Sequence, residues 1–220
     1  NGFLNWLSDV FGLSSTPTAN ATGWRKADFD FDIVETPEEI IRFVEAKNTA
    51  ATQNLNIPGR AVFSGARMLA GYAWPWSQYD SKTKDLPLDV DLGTVRLPWN
   101  ARTASYDWAL DPTRTNEVGC VHTSQGLEFE YVGVFIGPDL RYDPETKKLW
   151  ADYRRYCDVG GKVNLGKGDE RERELLKYVC RCYRVLLSRG VKGARVWCAD
   201  PNLGRMLRES LAQSMDLSED

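Results

Sequence analysis

Apolar positions recur at helical spacing in the first twelve residues, NGFLNWLSDVFG, where Phe3, Leu4, Leu7 and Phe11 share one stripe. Residues 13–28 are small and polar and read as a loop, after which FDFDIVE alternates apolar with acidic side chains and predicts a half-buried strand. TPEEIIRFVEAKN follows as a helix, with Thr36 as N-cap, Pro37 at the first helical position and Glu39 three residues after the cap. Ile40, Ile41, Phe43 and Val44 supply its apolar stripe. A strand is expected around residues 67–72, and residues 75–116, rich in Pro, Asp, Thr and Trp, read as an irregular insertion with an edge strand near 94–97. EVGCV and EYVGVFIG are Val-rich strand candidates, and the near-continuous apolar run of the second suits a parallel strand covered on both faces. A long helix is predicted over 169–188, closed by Gly190 as a left-handed cap. ARVWCAD is a further strand and NLGRMLRESLAQSM the last helix. Strands alternating with helices predict an α/β fold with a mainly parallel sheet, as one domain over residues 1–220.

Composition narrows the function classes. The longest apolar runs are far too short to cross a bilayer, so no membrane partner is expected. Five scattered cysteines without a C-x-x-C pair, and His122 as the only histidine, give no zinc-ligand spacing; no metal site is expected, and a reducing, cytoplasmic compartment is. With 28 Lys+Arg against 31 Asp+Glu, the net charge of −3 argues against a free-standing nucleic-acid binder. The total hides a segregation: residues 154–208 hold 14 basic and 6 acidic side chains, a net of +8, and the rest is acidic. Arg181, Arg184, Lys192 and Arg195 lie in this basic stretch, where they are expected to face phosphate or a strand.

Two segments are candidates for chemistry. HTSQGLE, residues 122–128, is a polar link with one glycine after a predicted strand; it suits either a bound phosphate or ribose beyond the carboxyl ends of the strands, or an ordinary capped turn. YRVLLSRG, residues 183–190, places Arg189 at a helix end, where a cation is favoured by the helix dipole or is presented to a nucleotide phosphate. No G-x-x-x-x-G-K-[ST] occurs, so the phosphate-cradling loop of a complete NTPase is missing. Asp139 and Asp143 near a strand end are the only hint of a two-carboxylate hydrolase or nuclease site. Trp74, Trp76 and Trp99 read as packing residues ahead of base-stacking ones.

EVGCVHTSQGLEFEYVGVFIGPDLRYD followed by YRVLLSRGVKGARVWCAD resembles the carboxyl-terminal part of the Schlafen group-3-like DNA/RNA helicase domains, a superfamily 1 family. HTSQGLEFEYV is similar to motif V and YRVLLSRG to motif VI; RMLAGYAWPW and FDFDIVETPEEI follow the family pattern in the same order. The resemblance implies a RecA-like domain without the P-loop, the second motor domain of an ATP-dependent helicase or translocase. It implies that Gln125, Gly126 and Glu128 line the nucleotide cleft, that Arg189 is the arginine finger, and that His122 and Thr123 face the nucleic acid. Arg67, in the RMLAGY-like segment, and Arg184 join the expected nucleic-acid contacts. ATP and Mg²⁺ are expected only in an intact protein, with an N-terminal RecA-like domain of the same chain and single-stranded DNA or RNA as partners; this fragment alone is expected to be inactive. The alternative is a non-catalytic RecA-like module that binds nucleic acid or protein.

Overall fold

The alternation in FDFDI and the Val-rich runs further along do become neighbours in one sheet. A computed structural model describes residues 2–14, 24, 27–51, 62–77, 86–100, 105–163 and 165–216. In it, β1 (Asp30–Ile33), β2 (Val62–Ala70), β5 (Val118–Gly119), β6 (Glu128–Ile136) and β9 (Gly190–Cys198) form a five-stranded sheet in the order β1-β9-β6-β2-β5. Every pairing in it is parallel. Helices α1 (Gly2–Val10), α5 (Gly168–Leu187) and α6 (Pro201–Asp216) cover one face, burying Phe3, Leu7, Tyr183, Leu186 and Leu207 against Phe31, Phe129, Val134 and Val196. Helix α2 (Pro37–Ala50) covers the other with Ile40 and Val44 against Met68 and Phe135. With both faces covered, β6 is buried almost throughout, which is what its unbroken apolar run required. This is the α/β, RecA-like arrangement expected from the sequence.

Several local features differ from expectation. The strand expected at 67–72 begins at Val62 and runs nine residues. The edge strand near 94–97 is β4 (Arg96–Leu97), which pairs with β3 (Val90–Asp91) in a separate hairpin rather than joining the main sheet. The rest of the described insertion supplies α3 (Ser105–Leu110) and a 3₁₀ turn at Pro112–Arg114. RYDPETKKLWA, unassigned in the sequence, is a hairpin of β7 (Leu140–Asp143) and β8 (Lys148–Ala151), followed by the short α4 (Val159–Lys162). Most of the loop expected at 13–28 lies outside the described residues. The capping of α2 is as read: the Thr36 N–H donates to Glu39 Oε1 at 2.9 Å. Trp74 and Trp99 are buried packing residues, whereas Trp76 is 62% exposed.

Gly190 needs a different explanation from the one its position suggested. It does not adopt the left-handed cap conformation; Ser188 ends α5 in right-handed geometry and Gly190 is already the first residue of β9. A Cβ at Gly190 would collide with the backbone carbonyl oxygen of Gly193. The glycine is there because the chain passes close to itself as it enters the sheet. Because backbone has no rotamer with which to yield, Gly190→Ala is expected to cost about 2 kcal/mol. At ~3 °C per kcal/mol for a chain of this size, thermal denaturation checks this as a drop of about 6 °C; an unchanged midpoint refutes the steric account.

At the carboxyl end of the sheet, α5 is fastened by one buried side chain. The Tyr183 hydroxyl donates to Asp139 Oδ1 at 2.6 Å and accepts from the Gly137 N–H at 2.9 Å. Burial pushes the Asp139 carboxyl up to about 7, and the Tyr183 hydrogen bond opposes that rise. Asp143 does something unrelated. It accepts from the Thr146 hydroxyl at 2.7 Å and the Glu145 N–H at 2.9 Å, bonds that hold its carboxyl below the usual range. One carboxylate is sealed in the core and the other caps an exposed turn, so the two-carboxylate reading is withdrawn. Among the described residues no His, Cys, Asp or Glu group is arranged to hold a metal ion, and all five cysteines are free thiols. No described helix is long and apolar enough to cross a membrane.

Candidate functional site

Strand register, more than proximity in sequence, assembles the site. β6 and β9 are adjacent, with Phe129 opposite Gly190, and the Phe129 N–H donates to the Arg189 carbonyl at 2.9 Å. Glu128 and Arg189, the residues just before these positions, are thereby set side by side at the amino-terminal edge of the sheet. They line a pocket of about 350 Å³ together with Arg184 and Ser188, walled by Phe3, Leu4 and Phe29. Motif-like segments 61 positions apart are joined by a single ladder step.

Arg189 is half-buried, and among the described residues its guanidinium is held by neutral oxygens alone. Nε donates to the Val185 carbonyl at 3.2 Å, Nη1 to the Leu127 carbonyl at 3.4 Å and Nη2 to Ser188 Oγ at 3.2 Å. The Val185 carbonyl belongs to the last turn of α5, so the helix-dipole attraction that the sequence suggested does operate here. Arg184, one turn earlier, donates from Nε to Ser8 Oγ of α1 at 2.7 Å. It therefore lines the same pocket as Arg189, on the phosphate side of the two settings, phosphate or strand, that the sequence left open for it. Helix periodicity was the available signal: positions 184 and 188 are one turn apart on α5.

The 120–127 link connects the two edges of the sheet. Gly119 at the end of β5 is level with Leu69 of β2, whose other neighbour is Val134 of β6; Glu128 begins β6, six residues further back. At 3.3 Å per residue the link descends about 20 Å. The expectation that the whole segment gathers beyond the carboxyl ends is therefore corrected. His122 and Thr123 lie near the carboxyl edge, while Glu128 lies at the amino edge. In between, the chain coils: Ser124 is buried and its hydroxyl donates to the Cys120 carbonyl at 2.8 Å. Gly126 takes φ +76°, a conformation that favours glycine, and both Gln125 and Gly126 are exposed without lining the pocket.

Thr123 Oγ1 accepts from the Cys120 N–H at 2.7 Å and lies 3.1 Å from the Cys120 carbonyl, a turn-closing role. His122 is exposed beside Tyr72, ring centroids 5.6 Å apart, and lines a cavity of about 650 Å³ with Tyr178, Lys177 and Arg181 of α5 and Asp158. The i, i+4 pair Lys177–Arg181 was legible in the sequence but not singled out there with His122.

Arg67 is a clear correction. It is 4% exposed, and its guanidinium donates to the carbonyls of Ala66 at 2.8 Å, Ala109 at 2.9 Å and Asp111 at 3.2 Å. It ties β2 to the end of α3 and offers nothing to a nucleic acid. Two cations of the basic stretch are likewise engaged within the fold: Lys192 with Glu130, and Arg195 with Asp30 at 2.8 Å.

A five-stranded parallel sheet covered by helices on both faces, with Glu128, Arg184 and Arg189 at its amino edge, is an α/β arrangement of the RecA-like class. The chain belongs to the Schlafen group 3, DNA/RNA helicase domain family, whose model matches residues 1–200. A Saccharomyces cerevisiae protein, Uncharacterized protein YPL245W, is 26% identical over 227 residues, which cover 94% of this chain and 45% of that protein. The chain thus spans less than half the length of that relative. No solved structure matches.

Proposed function

We propose that this chain is the C-terminal motor domain of a superfamily 1 type, ATP-dependent DNA/RNA helicase or translocase, and that the pocket at the amino edge of its sheet is its half of the ATP site. The observation that carries the reading is the convergence of Glu128 and Arg189, from two separate motif-like segments, on one pocket. The donor set suits a nucleotide. Arg189 and Arg184 supply positive charge for phosphate oxygens, and a carboxylate at Glu128 is an acceptor for ribose hydroxyls. Mg²⁺ would be held by the other half, since a preceding RecA-like domain is expected to carry the phosphate loop and the metal-binding hydroxyl and carboxylate.

In this reading Gln125 and Gly126 meet nucleotide only on closure of the two domains, because they are exposed beside the pocket rather than within it. His122 and Thr123 would sit toward the single strand, at the opposite edge. The same architecture without an ATPase partner would be a binding module, and one experiment separates the two. The purified chain is expected to show no Mg²⁺-dependent ATP hydrolysis. A protein that joins it to its N-terminal RecA-like domain is expected to hydrolyse ATP and to be stimulated by single-stranded DNA or RNA. Robust turnover by the chain alone, or none by the joined protein, overturns the proposal.

A further inference from the structure

The basic stretch of the sequence divides in three dimensions. Lys192 and Arg195 point to strand-borne carboxylates, and Arg184 and Arg189 line the nucleotide pocket. A separate set lies at the other end of α5, where Arg173 and Lys177 face Lys147 and Lys148 of the β7–β8 hairpin across a groove of about 530 Å³. All four are exposed, and none has a carboxylate partner among the described residues. Asp9, at the end of α1, is the one acid on the groove's wall.

The floor between these cations is largely aliphatic: Val10 of α1, Leu149 of β8, Leu176 of α5 and Met206 of α6, each only half-buried. A second cavity of about 590 Å³ adjoins it, sharing Lys148, Leu149, Arg173 and Leu176; it carries Trp150, which is 43% exposed, and mixes Arg154 and Arg171 with Asp152, Asp169 and Glu172, so the excess of positive charge is confined to the first groove. Apolar surface flanked by unneutralised like charge is costly to leave in water and costly to pair with itself. Both costs are relieved by an occupant that is apolar on one side and acidic at its margins.

We propose that this groove is a docking site for an acidic, amphipathic segment of a partner protein. Charge complementarity specifies the sign: four cations without a carboxylate partner among the described residues, against one acid in this groove. The floor specifies the class. A nucleic-acid strand would gain phosphate contacts and a ring at Tyr142 or Trp150 on which to stack, but little from the four aliphatic side chains that make up most of the floor. A peptide with Leu, Ile or Phe anchors gains from both, as in helix-in-groove recognition. The site does not compete with the nucleotide pocket. Lys177 precedes Arg189 by twelve residues, about 18 Å along a helical axis. A segment bound here would therefore rest on the helix that leads into Arg189 without covering it.

The test is a selection of phage-displayed random 16-residue peptides on the 220-residue chain, with counter-selection on a Lys147→Glu, Arg173→Glu double variant. Both changes are on exposed side chains, and matched thermal melts check that the variant folds. Enriched peptides are expected to combine several Asp or Glu with large apolar residues. A synthetic representative should bind the unaltered chain at least tenfold more tightly than the variant by fluorescence anisotropy, and more weakly in 300 mM than in 50 mM NaCl. Basic or neutral winners, equal affinity for the variant, or no discriminating peptide at all overturn the proposal. So does binding of the oligonucleotide dT20 that is lost in the double variant, which would assign the groove to nucleic acid instead.

Discussion

Arg189→Ala, made in a protein that joins this chain to its N-terminal RecA-like domain, is expected to slow ATP turnover by about a thousandfold. The affinity for nucleotide should change by less than about tenfold, because a finger contact acts chiefly on charge that develops in the transition state. Among the described residues Arg189 bonds only neutral oxygens, those of Val185, Leu127 and Ser188. Exchanging such partners for phosphate oxygens is favourable, since an anionic acceptor adds charge–charge attraction and can take the planar fork bidentately. Arg189→Lys should recover little of the loss, because an ammonium keeps the charge but not the planar fork. Steady-state kinetics with a separate measure of nucleotide binding makes the distinction. A turnover unchanged in Arg189→Ala would leave the residue with its helix-end role alone.

The second large effect concerns stability. The folded Asp139 carboxyl titrates near 7 against an ordinary value of 3.8. Below about pH 4 both folded and unfolded chains hold the proton. Between there and pH 7 the unfolded chain releases it while the folded chain keeps it, so the folded state binds more protons and stability falls as pH rises. At about 1.4 kcal/mol per pKa unit, the loss accumulates to ~4 kcal/mol by pH 8. Asp139→Asn removes the titration and retains an oxygen to accept from Tyr183. The stability of Asp139→Asn relative to the parent is therefore expected to rise by about 4 kcal/mol from pH 4 to pH 8, whatever the offset at pH 4. Urea denaturation across this range reads it directly, and a constant difference would mean that Asp139 is already ionised in the fold.

Elements whose patterns are local were legible in the sequence. The α2 capping box, the buried run of β6 and the long amphipathic α5 follow from side-chain spacing within one element, and the structure reproduces them. Features that depend on pairing across the chain were not. Nothing in TVRLP says that Arg96–Leu97 pairs with Val90–Asp91 rather than with the main sheet, and the brief β7–β8 hairpin lacks the alternation that marks a longer one. Arg67 misled for a related reason. Its place in the RMLAGY-like segment put it among the expected nucleic-acid contacts, yet the backbone carbonyls that satisfy it come from residues 66, 109 and 111. The motif residues themselves were recognisable, but which edge of the sheet each occupies was set by strand register, and register is not written in either motif alone.

The link from residue 120 to residue 127 has a mechanical implication. One of its ends is tied to β5 by the Cys120, Thr123 and Ser124 hydrogen bonds, and the other enters β6 through buried Leu127. Between two such anchorages it behaves as a short strut with a single swivel at Gly126, where the backbone alone takes the left-handed turn. A displacement imposed at Glu128 has few residues in which to dissipate before it reaches His122. Loosening that swivel would weaken the coupling between the two edges while leaving the groups at each of them in place.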